Sequence, residues 1–343
     1  MDSAAWPVSP EPIYFQQETC YGTQQGLEFD DVLIKPILSG IKSREEVDIS
    51  VALTDNCRLD FPLIASPMRN IVDANFSVML AELGGLGILH RFYNTDTEWD
   101  NEVDIISKAK RYGLAIGLSE SPKRTYSMLD MNPTIFLVDV ANGYMSTLLY
   151  VCDKLSEYIN KNNLDTLLMA GNVATYDGAM ALYNNGVDMI RVGLGSGGLC
   201  STRSVTGVGV PQITALLETA NIDALIVSDG GLKNSGDAVK AFVGGADLCM
   251  AGSLFAQTFE SPNDNKIFGM ASRDLMEFKH TQIKSVEGFS KDIEKTMSLK
   301  QFVDEFSWGI KSAATYLNAK NLDEMRSNGE FILAGKNSIK NLN

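Results

Sequence analysis

Eight short apolar runs recur along the chain, and they constrain its fold more than any other feature. They read "FPLIA" from 61, "LGILH" from 86, "GLAIG" from 113, "TIFLVDV" from 134, "TLLMAG" from 166, "VDMIRVG" from 187, "DALIVSDG" from 223 and "DLCMAG" from 247. Their continuous apolar character, rather than strict alternation, predicts strands covered on both faces, as in a parallel sheet. Between them lie segments with helical spacing: "ANFSVMLAELG", "NEVDIISKAKRYG", "ATYDGAMALYNNG", "VPQITALLETA" and "SGDAVKAFVGG". Several end on a glycine suited to close a helix. Eight strand and helix units in under 200 residues specify an α/β fold of the (β/α)8 TIM barrel type; an open doubly wound sheet is the alternative.

The expected division is an N-terminal arm over 1–25, a barrel over 26–320 with an active-site flap at about 270–290, and a C-terminal tail over 321–343. A hydrophobic content of 45% is ample for one core of this size. A net charge of −14 repels polyanions, so neither nucleic acid nor an anionic membrane is an expected partner, and any phosphate must be gripped locally. The five cysteines are odd in number and widely spaced, which points to a reducing, cytoplasmic setting rather than a disulfide framework or a zinc site. The first residues lack a basic start and an apolar run, and no apolar stretch reaches about 18 residues, so no leader or membrane span is expected.

Barrel chemistry gathers where strands exit at the C-terminal rim. The residues after the runs are Ser66, Pro67 and Met68, then His90, Gly117, Asp139, Gly171 and Asn172, the Cys200 loop, Ser228 and Asp229, and Gly252 and Ser253. The turns "SDGG" and "MAGS" suit a phosphate cup, because glycines let backbone N–H groups approach oxygens. Cys200 stands apart from Cys152 and Cys249, which lie in apolar runs and read as structural. It follows a strand in a glycine-rich turn and is trailed by Thr202 and Arg203, which can tune or assist a thiolate. His90 reads equally as a site residue or as a satisfied rim histidine.

The blocks "GLEFDDVLIKP", "SREEVDIS", "FPLIASPM", "GGLGILH", "VGLGSGGLCSTRSVTGVGVPQ", "SDGGLKNSGDAVKAFVGGADLCMAGS" and "FGM" together resemble the IMP dehydrogenase and GMP reductase family from Gly26 to Asn318. The resemblance implies a barrel that binds a purine nucleoside monophosphate, attacks purine C2 with the cysteine and exchanges hydride with a nicotinamide cofactor, NADPH or NADH. "DVANGY" from Asp139 is similar to the reductase branch, as are the absence of an inserted regulatory domain, a 270–287 segment without an Arg-Tyr pair, and Glu287 in "VEG". "TRSVTGVGVPQ" reads as readily like a dehydrogenase.

By this resemblance Cys200, Thr202 and Glu287 are catalytic. Ser66, Met68, Asp229, Gly231, Gly252, Ser253, Gly269 and Met270 meet the nucleotide, while Asp139, Asn142 and Lys284 meet the cofactor. The carbonyls of Gly195, Gly197 and Cys200 hold a monovalent cation, K+, and the assembly is a homotetramer. The implied reaction is conversion of GMP to IMP and ammonia. Alternatives are an IMP dehydrogenase without its regulatory domain, a reductase of a modified or deoxy purine nucleotide, and a barrel that binds purine nucleotides without turnover. Departures from the family pattern are Ser196 and Gly198 for Pro and Ser, Phe268 for Tyr, Arg69 and Asn70 for Asp and Thr, and Lys284 for Arg. Each lost hydroxyl contact would weaken binding by roughly 0.5 to 1.5 kcal/mol, and Arg69 is a candidate to compensate with its charge.

Overall fold

The computed structural model describes residues 25–269, 272 and 288–334. A first strand, β1 (Val32–Ile34), and a hairpin, β2 (Val51–Thr54) and β3 (Cys57–Leu59), precede the barrel. The eight apolar runs then become β4 (Leu63–Ala65), β5 (Leu86–Leu89), β6 (Gly113–Ile116), β7 (Ile135–Asp139), β8 (Leu167–Val173), β9 (Met189–Val192), β10 (Leu225–Asp229) and β11 (Leu248–Ala251). All eight pair in parallel and in chain order, and β11 closes the ring on β4 with Met250 opposite Ile64. The expected (β/α)8 barrel is therefore the observed one.

Helices α1 (Ala74–Glu82), α2 (Asp96–Ile106), α3 (Pro122–Leu129), α4 (Ser146–Asn162) and α5 (Tyr176–Tyr183) follow β4 to β8 in turn. The short α6 (Thr202–Thr206) and then α7 (Gln212–Thr219) follow β9, α8 (Ser235–Val243) follows β10, and the short α9 (Ser253–Ala256) follows β11. One expectation shifts: "NEVDIISKAKRYG" is helical only to Ile106, and its helix starts earlier, at Asp96. The Thr95 hydroxyl accepts from the Glu98 amide and fixes that start. Helix α4, which the sequence reading did not single out, buries Leu148, Val151, Cys152, Leu155 and Ile159 at spacings of three and four.

Two buried clusters alternate along the strands, as a period of two requires. Residues such as Phe136, Val138, Ile190, Val192 and Ile226 pack outward beneath the helices. Ile64, Ile88, Ala115, Leu137, Met169, Met189, Val227 and Met250 fill the barrel, and Leu53 and Leu59 of the hairpin plug its N-terminal end. Continuing that alternation toward the C-terminal rim, the next inward positions are Ser66, His90, Gly117, Asp139, Gly171, Arg191, Asp229 and Gly252. The packing layers thus give way to a polar and glycine layer at one end.

The stretch set apart as a tail begins with ordered structure. A helix over Leu322–Asn328 leads into a short strand, Phe331–Leu333, which pairs antiparallel with β1, Leu33 opposite Ile332. Before it, the helix Leu299–Tyr316 docks through Phe302 and Phe306, whose rings lie 6.3 and 6.0 Å from that of Phe61 in edge-on geometry. Phe255 extends this cluster at 5.2 Å from Phe302. Because Phe61 is fully buried at its centre, Phe61→Ala is expected to lower unfolding free energy by about 3–5 kcal/mol in a denaturant titration. A loss below about 1 kcal/mol would contradict this account of how the helix is held.

Candidate active site

The Cys200 loop leaves β9 at Gly193, whose amide donates to the Val173 carbonyl at 2.8 Å. Its two limbs are tied together by Arg203. The guanidinium donates to the Leu194 carbonyl at 3.1 Å and to the Val210 carbonyl at 2.6 Å, and its third arm pairs with Glu28. Glu28 also accepts from the Gln212 amide at 2.9 Å, and the Leu27 carbonyl accepts from Ile213 and Thr214. Pro211 brings no side-chain cap, so a segment some 180 residues earlier in the chain satisfies the first turn of α7. Glycine is required where Gly195, at φ +76°, passes the Arg203 side chain.

At the loop's tip Cys200 is half-buried, and its amide donates to the Gly197 carbonyl at 2.9 Å. Its Sγ lies 3.1 Å from Thr202 Oγ1 at the start of α6. Cys200 forms a bridge with Gly288, the Leu199 carbonyl accepts from Phe289, and Gly269 donates to the Phe289 carbonyl. A Cβ at Gly269 would stand 2.7 Å from the Leu199 oxygen, so Gly269 meets the cysteine loop closely. Glu287, Met270 and Lys284 lie outside the described residues, although Gly288, the neighbour of Glu287, is at Cys200.

The inward layer at the rim carries a chain of charges. Arg191 Nη1 donates to Asp139 Oδ1 at 2.6 Å and Nη2 to Asp229 Oδ2 at 2.8 Å. Arg91 Nε reaches Asp139 Oδ2 at 3.3 Å, and Asn172 Nδ2 donates to Asp229 Oδ2 at 2.7 Å. Burial pushes the Asp139 carboxyl up, but the Arg191 and Arg91 guanidiniums outweigh it and hold the group below the ordinary aspartate value of 3.8. Glycines make room: a Cβ at Gly171 would stand 2.6 Å from Arg191 Cβ, and one at Gly117 would stand 2.7 Å from Arg91 Nη1. Arg191, Arg91 and Asn172 had no role assigned from sequence. Strand parity was the available signal, since Arg191 follows Met189 on the inward face of β9.

The loop and the charged layer meet. Ser196 Oγ donates to the Asp229 carbonyl at 3.0 Å, a Cβ at Gly230 would stand 2.9 Å from the Gly197 nitrogen, and Gly231 lies against the Ser196 carbonyl and the Phe29 ring. On the neighbouring strands, a Cβ at Gly252 would be 3.2 Å from Met68 Sδ and 3.8 Å from Ser66 Oγ, which groups these three, with Ser253 next in chain. Asn142 is exposed after β7 and accepts from the Tyr144 amide at 3.1 Å. The carbonyls of Gly195, Gly197 and Cys200 all belong to the tip of the cysteine loop. Arg69 is engaged by Glu98 at 2.7 Å and the Phe92 carbonyl at 2.9 Å, which ties its charge to α2.

His90 resolves toward the structural reading. It is buried, stacks on Tyr93 at 4.4 Å between ring centroids, and accepts from the Phe92 amide through Nδ1. Burial, helped by the Arg69 charge, pushes it down to about 3, so it is neutral at physiological pH. Cys152 and Cys249 are buried, as expected, with their thiols pushed far up by burial.

Fold and rim together define a (β/α)8 barrel with a braced thiol loop over an ionic mouth. Residues 26–342 match the IMP dehydrogenase / GMP reductase domain, and the chain belongs to that family. It is 32% identical to a GMP reductase of Shigella boydii over 89% of this chain and 94% of the relative. A GMP reductase of Clostridium acetobutylicum is 30% identical over 92% and 97%. An inosine-5′-monophosphate dehydrogenase of Borreliella burgdorferi is 28% identical over 93% and 96%. Among the described residues no helix is long and apolar enough to cross a membrane.

A neutral buried histidine has a consequence for acid stability. The unfolded chain takes up a proton at this position below about pH 6.5, while the folded protein takes it up only near pH 3. The contribution is therefore intact above pH 6.5 and is lost as pH falls. Between pH 6 and 4 the unfolding free energies of wild type and His90→Gln should converge by up to about 1.4 kcal/mol per pH unit. Parallel curves would show that His90 is protonated in the folded state.

Proposed function

We propose that the protein is a reductase of a purine nucleoside monophosphate, converting GMP to IMP and ammonia with NADPH. The observation that carries this reading is the Cys200 Sγ to Thr202 Oγ1 contact of 3.1 Å, beside Gly288 and above the Asp229 layer. In the proposed reaction the Cys200 thiolate adds to purine C2, and the exocyclic amine leaves as ammonia. An amine departs well only when protonated, so a hydroxyl coupled to a carboxyl, Thr202 with Glu287, serves as the proton relay. The nicotinamide cofactor, when bound, supplies the hydride that replaces sulfur at C2 and frees the thiolate.

The chain's own residues account for the rest. Asp229 accepts from the ribose hydroxyls, and backbone N–H groups at Gly231, Gly252 and Ser253 face the phosphate, with Ser66 and Met68 alongside. Gly269 and Met270 meet the base. Asp139, held ionised by two guanidiniums, accepts from a carboxamide N–H, and Asn142 and Lys284 complete the cofactor side. The carbonyls of Gly195, Gly197 and Cys200 supply oxygen donors of the kind a potassium ion takes.

A dehydrogenase reading is supported by the similarity to the Borreliella enzyme and by the stretch "TRSVTGVGVPQ". The segment 270–287 contains no tyrosine, so it lacks the Arg-Tyr pair for activating water. Incubation with GMP and NADPH is expected to release ammonia in step with NADPH oxidation. Xanthylate formation from IMP and NAD would favour the dehydrogenase instead. Cys200→Ser should lower turnover by roughly four orders of magnitude or more while GMP affinity stays within about threefold. Unchanged turnover in that variant would remove the cysteine from the mechanism.

A further inference from the structure

Arg191 spans two strands' worth of the barrel mouth and is the one guanidinium that touches both Asp139 and Asp229 among the described residues. Its side chain is 7% exposed, so its charge is not screened by bulk water. Nε has no partner, and the whole interaction runs through the two outer nitrogens, one for each carboxylate. Two carboxylates drawn to one planar group are near neighbours. The positive charge between them offsets the repulsion that like charges sharing a site would feel.

The other groups facing the pair do not replace that cation. Arg91, from the end of β5, touches only Asp139, and at the longer distance of 3.3 Å. Asn172, from β8, brings a neutral amide to Asp229. Asp229 Oδ1 carries no hydrogen bond among the described residues, which leaves a charged oxygen available at the mouth.

We propose that Arg191 is a positioning residue that keeps Asp139 and Asp229 ionised side by side, so that the mouth offers two pure acceptors to ligands bearing hydroxyl and amide donors. The identification of those donors as a nucleotide ribose and a cofactor carboxamide rests on the function proposed above. The arrangement gives the site a preference for donors on both sides of one fixed positive charge. It also gives the nucleotide and cofactor halves a common structural member, with Asp229 on one arm of the guanidinium and Asp139 on the other.

The test uses infrared spectra of the ligand-free protein on acidification, with GMP titrations in parallel. Arg191→Gln is expected to gain, over the wild-type spectrum, the C=O band of one further protonated carboxyl at about pH 6. Arg191→Lys should restore the wild-type spectrum because it keeps the charge. GMP affinity in Arg191→Gln should fall about tenfold from pH 8 to pH 6, against less than about twofold in wild type. Adding Asp139→Asn to Arg191→Gln removes the repulsion, so it should abolish the band, and should restore folding and GMP binding if the single variant is unstable. An Arg191→Gln protein with no new band, an equal loss of GMP affinity at both pH values, or no rescue by Asp139→Asn would overturn the proposal. Failure of wild type to bind GMP overturns the proposed function and leaves the infrared arm standing. An unchanged infrared spectrum in Arg191→Gln overturns the pairing and leaves GMP binding standing.

Discussion

A guanidinium wedged between two carboxylates sets the geometry of the barrel mouth. Arg191, Asp139 and Asp229 sit on the inward face of three strands, at the level where the next apolar layer would otherwise lie. Burying charges costs several kcal/mol per ion, and mutual attraction with good hydrogen bonds offsets that cost only when partners are fixed. Strand closure fixes them, because β7, β9 and β10 cannot slide without breaking the ring. The glycines at 117 and 171 are the complement of this layer: their missing side chains are the space that Arg91 and Arg191 occupy.

The thiol loop depends on a second brace of the same chemical kind. Many glycines would leave Cys200 without a defined position, yet Arg203 ties both limbs of the loop and is itself held by Glu28. The early segment around Leu27 and Glu28 thereby does two things at once. It satisfies the exposed amides of α7 and fixes the base of the loop that carries the sulfur.

Much of this was legible before any coordinates. Apolar runs such as "TIFLVDV" and "DALIVSDG" mark strands because a strand buried on both faces has no polar position to spare until it reaches the rim, and there Asp139 and Asp229 appear. Cys200 was legible from its glycine context. The Arg191 bridge was not, because an arginine inside an apolar run gives no local hint of two acids at positions 139 and 229. The Glu28 brace joins residues 175 apart in sequence, beyond the reach of local patterning. The Arg69 to Glu98 pair was equally out of reach, since it joins the loop after β4 to the third residue of α2, 29 positions on.

The central claim is that sulfur at position 200 bonds to the purine ring above the Asp229 layer. Intact-protein mass after rapid quenching of the protein with GMP in the absence of reduced cofactor tests it most directly. The account predicts an adduct equal to GMP less ammonia, localised by peptide mapping to Cys200. A protein that binds GMP but never gains that mass, or gains it at Cys57, would contradict it.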